Sequence, residues 1–186
     1  MKIVIAITGA SGVRYGVRLL EVLSNNKNIE LHLVVTETAK KILKSEENLG
    51  LASLKKLVSR CYSEDEIDAS IASGSSNVNA MVIIPCSMKT LACIANGIAS
   101  NLVTRVADVM LKERKPLILV TRETPLNLIH LGNMLKVAKA GAIVMPACPA
   151  FYIKPMGIND LVDFIAGRVL DILNINHNLY RRYCKK

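Results

Sequence analysis

Short apolar runs alternate with segments of helical periodicity along the chain, and this alternation constrains the fold more than any other feature. Apolar runs of this kind are typical of strands buried on both faces of a parallel sheet. The sequence predicts strands over residues 2–8, 30–35, 80–85, 116–121 and 142–146. It predicts helices over residues 13–23, 38–44, 51–59, 89–96, 101–113, 126–139 and 159–174. We therefore expect a βαβ protein of the α/β class with a mostly parallel sheet.

The length fits one domain. A chain of 186 residues is long enough for one well-buried core and short for two. No stretch approaches the roughly 18 uninterrupted apolar residues that cross a bilayer. The apolar start leads directly into the turn Gly9-Ala10-Ser11-Gly12, so we interpret it as a first strand and not as a signal segment. We expect a cytoplasmic protein without a membrane partner, in which residues 1–186 form one domain and residues 176–186 are a C-terminal tail.

The positive charge argues for a small anionic ligand more than for nucleic acid. The formal net charge is +9, which is compatible with nucleic acid, an anionic membrane or phosphorylated ligands. However, the basic residues are scattered, and aromatic residues make up only 4% of the chain, which leaves little material for base-stacking surfaces. We therefore expect no nucleic-acid partner.

Cysteine and histidine usage argues against a disulfide framework and a metal site. The five cysteines form no C-x-x-C pair, and we interpret them as small buried hydrophobic residues in a reducing compartment; they are Cys61, Cys86, Cys93, Cys148 and Cys184. The histidines show no metal-ligand spacing and are expected to be structural or surface residues; they are His32, His130 and His177. We expect no bound metal.

Polar residues follow each predicted strand, where ligands of open α/β sheets bind. Gly9 and Gly12 permit a tight turn, and Ser11 can face an anion. The loop lacks the G-x-G-x-x-G pattern of a dinucleotide site, and a turn without a ligand remains an alternative. Ser87 and Thr90 begin a predicted helix, where they could cap its amides, bind phosphate, or both.

Charged residues later in the chain are candidates for phosphate binding and proton transfer. Arg122 and Glu123 directly follow an apolar strand, where a cation can hold phosphate and a carboxylate can move a proton. Arg105 and Lys112 share one helix face with an aspartate, and a solvated ion-pair face is the alternative there. Arg168 lies within an apolar helix and needs either an anionic partner or an outward position.

Five segments in order resemble the UbiX-type flavin prenyltransferases, and the likeness extends from about residue 2 to residue 175. They are Thr8-Gly9-Ala10-Ser11-Gly12, Pro85-Cys86-Ser87-Met88-Lys89-Thr90-Leu91, Ala107-Asp108-Val109-Met110-Leu111-Lys112-Glu113-Arg114-Lys115-Pro116-Leu117, Arg122-Glu123-Thr124-Pro125 and Pro149-Ala150-Phe151-Tyr152. The resemblance implies a single Rossmann-like or flavodoxin-like domain with helices on both faces of the sheet. It also implies a homo-oligomer, commonly a dodecamer, with FMN bound at subunit contacts.

The resemblance implies that a dimethylallyl group passes from dimethylallyl monophosphate to N5 and C6 of reduced FMN. The product, prenylated FMN, would serve a UbiD-type decarboxylase. The implied flavin contacts are Gly9, Ala10, Ser11, Thr36, Ser87, Met88, Lys89, Thr90 and Arg122. The implied phosphate contacts are Tyr152, Arg168, Lys112 and Arg105, with the last two coming from a neighbouring subunit. Glu123 and Glu46 match family carboxylates near the reacting centre, and the adjacent Glu47 leaves the second match open.

The residues make chemical sense of a reaction without a metal. A phosphate leaving group gains negative charge, and the chain has no D-D-x-x-D-like cluster to hold Mg²⁺. We expect Arg122, Lys112 and Arg168 to stabilise that charge, together with the hydroxyl of Tyr152. Glu123 or the leaving phosphate could accept the proton released on ring closure.

Two alternative functions remain at this point. An FMN-dependent cysteine decarboxylase would rely on a histidine after the second strand, and Val34-Val35-Thr36-Glu37-Thr38-Ala39 contains none. A non-catalytic FMN carrier would keep the flavin loops and could lose the phosphate-side cations, all of which are present here.

Overall fold

The computed structural model describes residues 1–183, and its centre is a six-stranded parallel sheet. The strands are β1 (Lys2–Ile7), β2 (Glu30–Val35), β3 (Arg60–Ser63), β4 (Ala80–Cys86), β5 (Leu117–Thr121) and β6 (Ile143–Val144). They lie in the order β3-β2-β1-β4-β5-β6, and every neighbouring pair is parallel. The order reverses between β1 and β4, where α/β sheets open a crevice for ligands.

In residues 1–183, seven α-helices connect or flank the strands. They are α1 (Val13–Ser24), α2 (Glu37–Glu47), α3 (Leu51–Lys55), α4 (Met88–Ala95), α5 (Leu102–Lys112), α6 (Leu128–Lys139) and α7 (Ile158–Ile172). Short 3-10 helices occur at Ser70–Ala72 and Phe151–Ile153. Within residues 1–183, no helix combines the length and apolar character needed to cross a membrane.

The sheet has a separate hydrophobic core on each face, because successive side chains of a strand point to opposite sides. In β1, Ile5 packs with α1, α2 and α7, whereas Ala6 packs with α4, α5 and α6. Five of the six residues of β1 are fully buried, which is the burial pattern of a strand covered on both faces. The predicted α/β fold with helices on both faces is therefore confirmed.

The structure corrects the sequence interpretation at two places on the sheet edges. The helix predicted over residues 51–59 ends at Lys55, and strand β3, which was not predicted, begins at Arg60. Only Tyr62 of this strand is buried, so the segment lacks the continuous apolar run of a central strand. The strand predicted over residues 142–146 contains only two residues in the sheet, Ile143 and Val144.

Candidate active site

A cleft of about 340 Å³ lies at the carboxyl ends of the strands. The loops after β1, β2, β3, β4 and β5 form its walls, together with the amino ends of α4 and α5. Its lining residues are Gly9, Ala10, Thr36, Thr38, Glu64, Ser87, Met88, Lys89, Thr90, Cys93, Ser100, Asn101, Thr104, Arg122 and Glu123. Eight of the nine residues predicted to contact flavin are among them. The exception is Ser11, which is exposed in the first loop and does not line this cleft.

The first loop needs glycine at two positions. A Cβ at Gly9 would lie 2.7 Å from Thr38 Cγ2, so the loop can approach α2 only without a side chain there. Gly12 has φ 89°, in the left-handed region that favours glycine. Gly12 offers no side chain that could cap α1. The carboxylate of Glu46 lies at this helix end, where its Oε2 accepts from the Gly12 amide at 2.9 Å and from the Val13 amide at 3.3 Å.

Glu46 is therefore the carboxylate that lies at the first loop. It accepts hydrogen bonds at the positive end of α1, where a negative charge is favourable. Glu47 instead pairs with Arg14 at 3.2 Å, and Glu123 lines the cleft, whereas Glu46 does not. Sequence alone left the choice between the two adjacent glutamates open, and the structure assigns the loop contact to Glu46.

Ser87 and Thr90 combine the capping and cleft-lining roles. Ser87 Oγ accepts from the Thr90 amide at 3.2 Å, and the two hydroxyls lie 3.0 Å apart. One hydroxyl donates to the other, so the pair retains one O–H that can donate to a ligand. Thr36 caps α2 in the same way, with its Oγ1 accepting from the Ala39 amide at 3.3 Å. The amino ends of α2 and α4, both capped by hydroxyls, thus face one cleft, which favours an anion there.

Thr8 links the first and third of these loops. Its hydroxyl donates to the Pro85 carbonyl at 2.8 Å and accepts from the Ser87 amide at 2.9 Å. The first of these hydrogen bonds is buried and the second is partly buried, so Thr8 fixes the loop after β1 against the loop after β4. Sequence reasoning included Thr8 in a motif but did not assign this role.

Glu64 was not predicted as a site residue. Its Oε1 accepts from the Glu37 amide at 2.6 Å, and its Oε2 accepts from Asn101 Nδ2 at 2.7 Å. It therefore joins the amino end of α2 to the amino end of α5 while lining the cleft. Glu64 directly follows β3, and the polar-residue-after-strand signal would have identified it if that strand had been recognised.

Arg122 carries a buried donor without a partner. Its Nε has no hydrogen-bond partner among residues 1–183, although a buried unpaired donor is costly. Arg122 and Glu123 line both the main cleft and a second cleft of about 470 Å³. Apolar groups of Pro125, Leu126 and Met134 contribute to the second cleft. The Arg122-Glu123 pair therefore stands between a polar cleft with anion-binding features and a more apolar one.

The residues predicted to hold the prenyl phosphate do not line either cleft of their own chain. Arg105 pairs with Asp108 at 3.1 Å, and Lys112 pairs with Glu113 at 3.2 Å, both on the exposed side of α5. Lys112 lies eleven residues beyond the cleft residue Asn101, about 16 Å at the helical rise of 1.5 Å per residue. Within one chain this face of α5 is therefore an ion-paired surface, which is the alternative that the sequence left open.

Arg168 and Tyr152 belong to a different cluster. Arg168 NH1 donates to Asp171 Oδ2 at 3.0 Å and to the Tyr180 hydroxyl at 3.5 Å, so the cation has both a partner and an outward position. The ring of Tyr152 meets Phe164 edge to face at a centroid distance of 6.0 Å. Both predicted phosphate contacts are thus held by α7 and the segment after it.

The cysteines and histidines agree only partly with their interpretation. Cys86 is fully buried, and burial raises the pKa of its thiol to about 12. Cys61 and Cys93 are half-buried and Cys148 is exposed, so the description as buried hydrophobic residues is wrong for Cys148. Cys184 lies outside the described residues, as do the last positions of the predicted tail.

The histidines of the described chain are structural. His32 Nδ1 lies 2.9 Å from the Tyr62 hydroxyl, and His130 Nδ1 accepts from the Asn127 amide at the start of α6. His177 is bonded to Asp171 at 3.0 Å. Over residues 1–183, no group of three or more histidine, cysteine or acidic side chains is arranged to hold a metal ion.

The chain is similar to known flavoproteins in both sequence and structure. The family model described as Flavoprotein matches residues 1–170. The flavin prenyltransferase UbiX of Methanocaldococcus jannaschii is 51% identical over 183 residues, covering 98% of each chain. The crystal structure of AnUbiX (PadA1) in complex with FMN and dimethylallyl pyrophosphate has a TM-score of 0.96 and 42% identity, covering 100% of this chain and 98% of that one.

Two further solved structures are similar to this chain, one of a dodecameric protein and one, at low sequence identity, of a cysteine decarboxylase. The dodecameric FMN-dependent UbiX-like decarboxylase from Escherichia coli O157:H7 has a TM-score of 0.97 and 41% identity, with both chains covered completely. The peptidyl-cysteine decarboxylase EpiD has a TM-score of 0.63 and 20% identity, covering 80% of this chain and 81% of that one. The likeness to the cysteine decarboxylase is one of fold alone.

Proposed function

The chain belongs to the UbiX flavin prenyltransferases within the Flavoprotein family, and we propose how its own residues carry out the reaction. The enzyme joins a dimethylallyl group from dimethylallyl monophosphate to N5 and C6 of reduced FMN and releases phosphate. The observation that carries the assignment of the site is the cleft itself, where the loops after five strands and the buried, unpartnered Nε of Arg122 converge within the described chain. The alternative of a cysteine decarboxylase is not favoured, because its representatives share only the fold.

The cleft residues fit FMN. Thr36, Ser87 and Thr90 supply hydroxyls at two helix amino ends, where a phosphate monoester binds favourably. Arg122 supplies a guanidinium whose Nε has no acceptor within residues 1–183, and a phosphate or flavin oxygen would provide one. Gly9 keeps the first loop free of a side chain at the cleft wall. When bound, reduced FMN supplies the nucleophilic atoms of the reaction.

The chain's part in the transfer is electrostatic. When the allylic C–O bond breaks, its electron pair leaves with the phosphate, and nearby cations stabilise the growing charge. Arg122 is positioned between the two clefts for this task. The resemblance assigns Arg168 and Tyr152 to the same phosphate. Both are partly exposed, and because neither lines a cleft of its own chain, we propose that they meet the phosphate only in the assembled oligomer. The apolar groups of the second cleft are suited to shelter the prenyl chain from water.

Glu123 is our proposed proton acceptor. Its carboxylate lines both clefts, and its Oε1 accepts from the Thr124 amide at 3.0 Å, which holds it beside Arg122. Formation of the second bond, at C6, adds one proton to the prenyl double bond and releases one from C6, and either Glu123 or the departing phosphate can take the released proton. Glu46 has a different task in this proposal, because its oxygen holds the first loop in place through the Gly12 amide.

The active assembly is a homo-oligomer, which we propose to be a dodecamer. Lys112 and Arg105 lie outside their own cleft on an exposed helix face, so they can reach a phosphate only in a neighbouring subunit's site. The similar Escherichia coli protein is dodecameric. The face of α6 also exposes Leu128 and Ile129 at 85% and 72%, which is the kind of apolar patch that subunit contacts cover. We further propose that the enzyme acts in the cytoplasm and that its product passes to a UbiD-type decarboxylase.

Anaerobic turnover tests the function. The oligomer is incubated with reduced FMN and dimethylallyl monophosphate, without added metal, and the flavin is analysed by mass spectrometry. We expect a product heavier by one C5H8 unit, and a parallel reaction with dimethylallyl pyrophosphate tests the choice of donor. Recovery of unmodified FMN bound to the folded oligomer with both donors would contradict the proposal and favour the FMN carrier.

A variant pair tests the roles of the residues. Glu123→Gln removes the proton acceptor while keeping nearly the same shape, so we expect slower product formation with FMN affinity retained. Glu66→Gln is the matched control, because Glu66 caps the Ser63 amide at the end of β3 and does not line the cleft. Equal rates for the two variants would remove Glu123 from the mechanism.

A further inference from the structure

The chain folds back on α7 after that helix ends. We call residues 176–183 the C-terminal strap. His177 is only 3% exposed, and its ring and that of Tyr180 lie directly over Gly167. A Cβ at Gly167 would come within 2.7 Å of His177 Cε1 and 2.7 Å of Tyr180 Cδ1. The helix therefore presents a bare backbone patch to which the strap is fitted.

Asp171 is the polar centre of this contact. Its carboxylate accepts from Arg168 on α7 and from three strap residues, with His177 Nε2 at 3.0 Å and Arg182 NH2 at 2.7 Å. The third strap donor is the Tyr180 hydroxyl, in a short hydrogen bond. Burial alone would raise the pKa of Asp171, but the hydrogen bonds from Tyr180, Arg182 and His177 outweigh it and lower the pKa to about 2.

The hydrogen bonds of His177 fix its tautomer. The Leu179 amide donates to His177 Nδ1 at 3.2 Å, so Nδ1 is an acceptor without a proton. Nε2 must then carry the proton that it donates to Asp171. A neutral imidazole thus completes the contact, with the strap backbone holding the ring in orientation.

The strap also reaches the second proposed phosphate contact. The ring of Tyr183 meets Tyr152 edge to face at a centroid distance of 5.4 Å. Phe164 lies between Tyr152, at 6.0 Å, and Tyr180, at 4.9 Å. Arg168 and Tyr152 are therefore both tied to the same short segment, one by polar and one by aromatic contacts.

We propose that the C-terminal strap, acting through Tyr180 and Asp171, is a positioning element that sets the guanidinium of Arg168 for the phosphate of the prenyl donor. This inference rests on the proposed function of Arg168. An arginine that is 47% exposed samples many rotamers, and ordering it on binding opposes affinity. A guanidinium already held is preorganised for a bidentate phosphate contact.

The details of the contact suit that task. Both hydrogen bonds of Arg168 use NH1, so within the described chain Nε and NH2 stay available for the donor phosphate. Asp171 would oppose phosphate binding if its charge faced Arg168 alone. Three strap donors also bind that carboxylate. Asp171 therefore orients Arg168, while only part of its negative charge offsets the positive charge of the guanidinium.

Tyr180→Phe tests the inference, because it removes the hydroxyl that contacts both Asp171 and Arg168 and keeps the ring over Gly167. Tyr62→Phe is the matched control: it removes a hydroxyl that lies 2.9 Å from His32 Nδ1, in the hydrophobic core on the opposite face of the sheet from α7. In the whole oligomer with reduced FMN, we expect Tyr180→Phe to raise KM for dimethylallyl monophosphate by about threefold to tenfold, the usual effect of one hydrogen bond. FMN affinity should change less than about twofold, and the control should leave KM for the donor unchanged.

A double variant separates positioning from general stability. With Arg168→Ala already present, Tyr180→Phe should have no further effect on KM for the donor, because the group that it positions is gone. Asp171→Asn should raise KM in the same direction and show the same dependence on Arg168.

The outcomes distinguish this inference from the function on which it rests. If the wild-type protein prenylates FMN and Arg168→Ala weakens donor binding, but Tyr180→Phe and Asp171→Asn match the wild type, the strap has no positioning role. Equal effects of Tyr180→Phe with and without Arg168 would also overturn it. Absence of prenylation by the wild-type protein, or an unchanged donor KM in Arg168→Ala, would overturn the proposed function of the site or of Arg168, and the inference with it.

Discussion

Replacing Arg122 with methionine should change stability and flavin binding in different ways. Methionine keeps the length of the unbranched stem and removes every donor of the guanidinium. In the structure the Nε donor is buried and has no acceptor among residues 1–183, and leaving a buried donor unsatisfied costs about 1–3 kcal/mol. The FMN-free Arg122→Met protein should therefore be as stable as the wild type or more stable.

Flavin binding should weaken in the same variant. A hydrogen bond that involves a charged group contributes about 1.5–3 kcal/mol, which corresponds to roughly a 10- to 160-fold increase in the Kd for FMN. Arg122→Lys should fall between the two proteins, because lysine keeps the charge and loses the planar fork. Arg60→Met is the control, since Arg60 stacks over Tyr62 at 4.8 Å at the amino end of β3.

The assay is quenching of FMN fluorescence on titration with flavin-stripped protein, combined with urea unfolding of the same samples. The reasoning would be refuted if Arg122→Met lost more than about 2 kcal/mol of unfolding free energy while its Kd for FMN stayed within about twofold of the wild type. In that case the guanidinium would serve the fold, as a buried and satisfied side chain does.

Three further predictions concern stability. Gly16→Ala should lower the unfolding free energy, measured by urea titration, by about 1–3 kcal/mol, because its Cβ would lie 2.4 Å from a carbonyl oxygen of β4. Gly132→Ala is the control. A Cβ at Gly132 would have none of the described neighbouring atoms within 4 Å, so this variant should raise the unfolding free energy by up to about 1 kcal/mol. The pKa of Asp171 is lowered from 3.8 to about 2, so its carboxylate stabilises the fold above about pH 4 by roughly 2 kcal/mol, and this contribution is lost as the pH falls towards 2. Asp171→Asn should therefore be less stable than the wild type at pH 6 and equally stable near pH 2. A difference in unfolding free energy that stays constant with pH would contradict the assignment. Glu46→Ala should cost about 1 kcal/mol as a lost helix cap, whereas Glu47→Ala, which loses a partly exposed ion pair, should cost less than about 0.5 kcal/mol, as measured by thermal unfolding.

The central strands were predictable because burial on both faces leaves a continuous apolar run in the sequence. An edge strand has no such requirement, and β3 carries Arg60, Cys61 and Ser63 around one buried tyrosine. Because β3 was not predicted, the sequence did not identify Glu64 as a cleft residue. Glu64, the residue at its carboxyl end, joins α2 to α5 across the cleft, and no motif marks it.

The sequence posed capping and ligand binding as alternatives for the hydroxyls, but the geometry allows both at once. Ser87 Oγ accepts from an amide and still shares a hydroxyl proton with Thr90. A cap uses the lone pair of the oxygen, while an anion needs its proton. Hydroxyl residues at a helix amino end on the ligand edge of a sheet therefore need not be assigned to one role.

The residues that the resemblance assigns to the prenyl phosphate lie in two separate parts of the chain. Arg168 and Tyr152 lie on the cluster of α7 and the C-terminal strap, whereas Lys112 ends α5, about 16 Å along the helix from the cleft residue Asn101. The side chain of lysine cannot span that separation, and Arg168 and Tyr152 line neither cleft of their chain, so these groups cannot meet at a phosphate bound in that cleft. If they share a donor, the catalytic unit must be a contact between subunits, and dissociating the oligomer should abolish turnover while leaving the cleft of each chain intact.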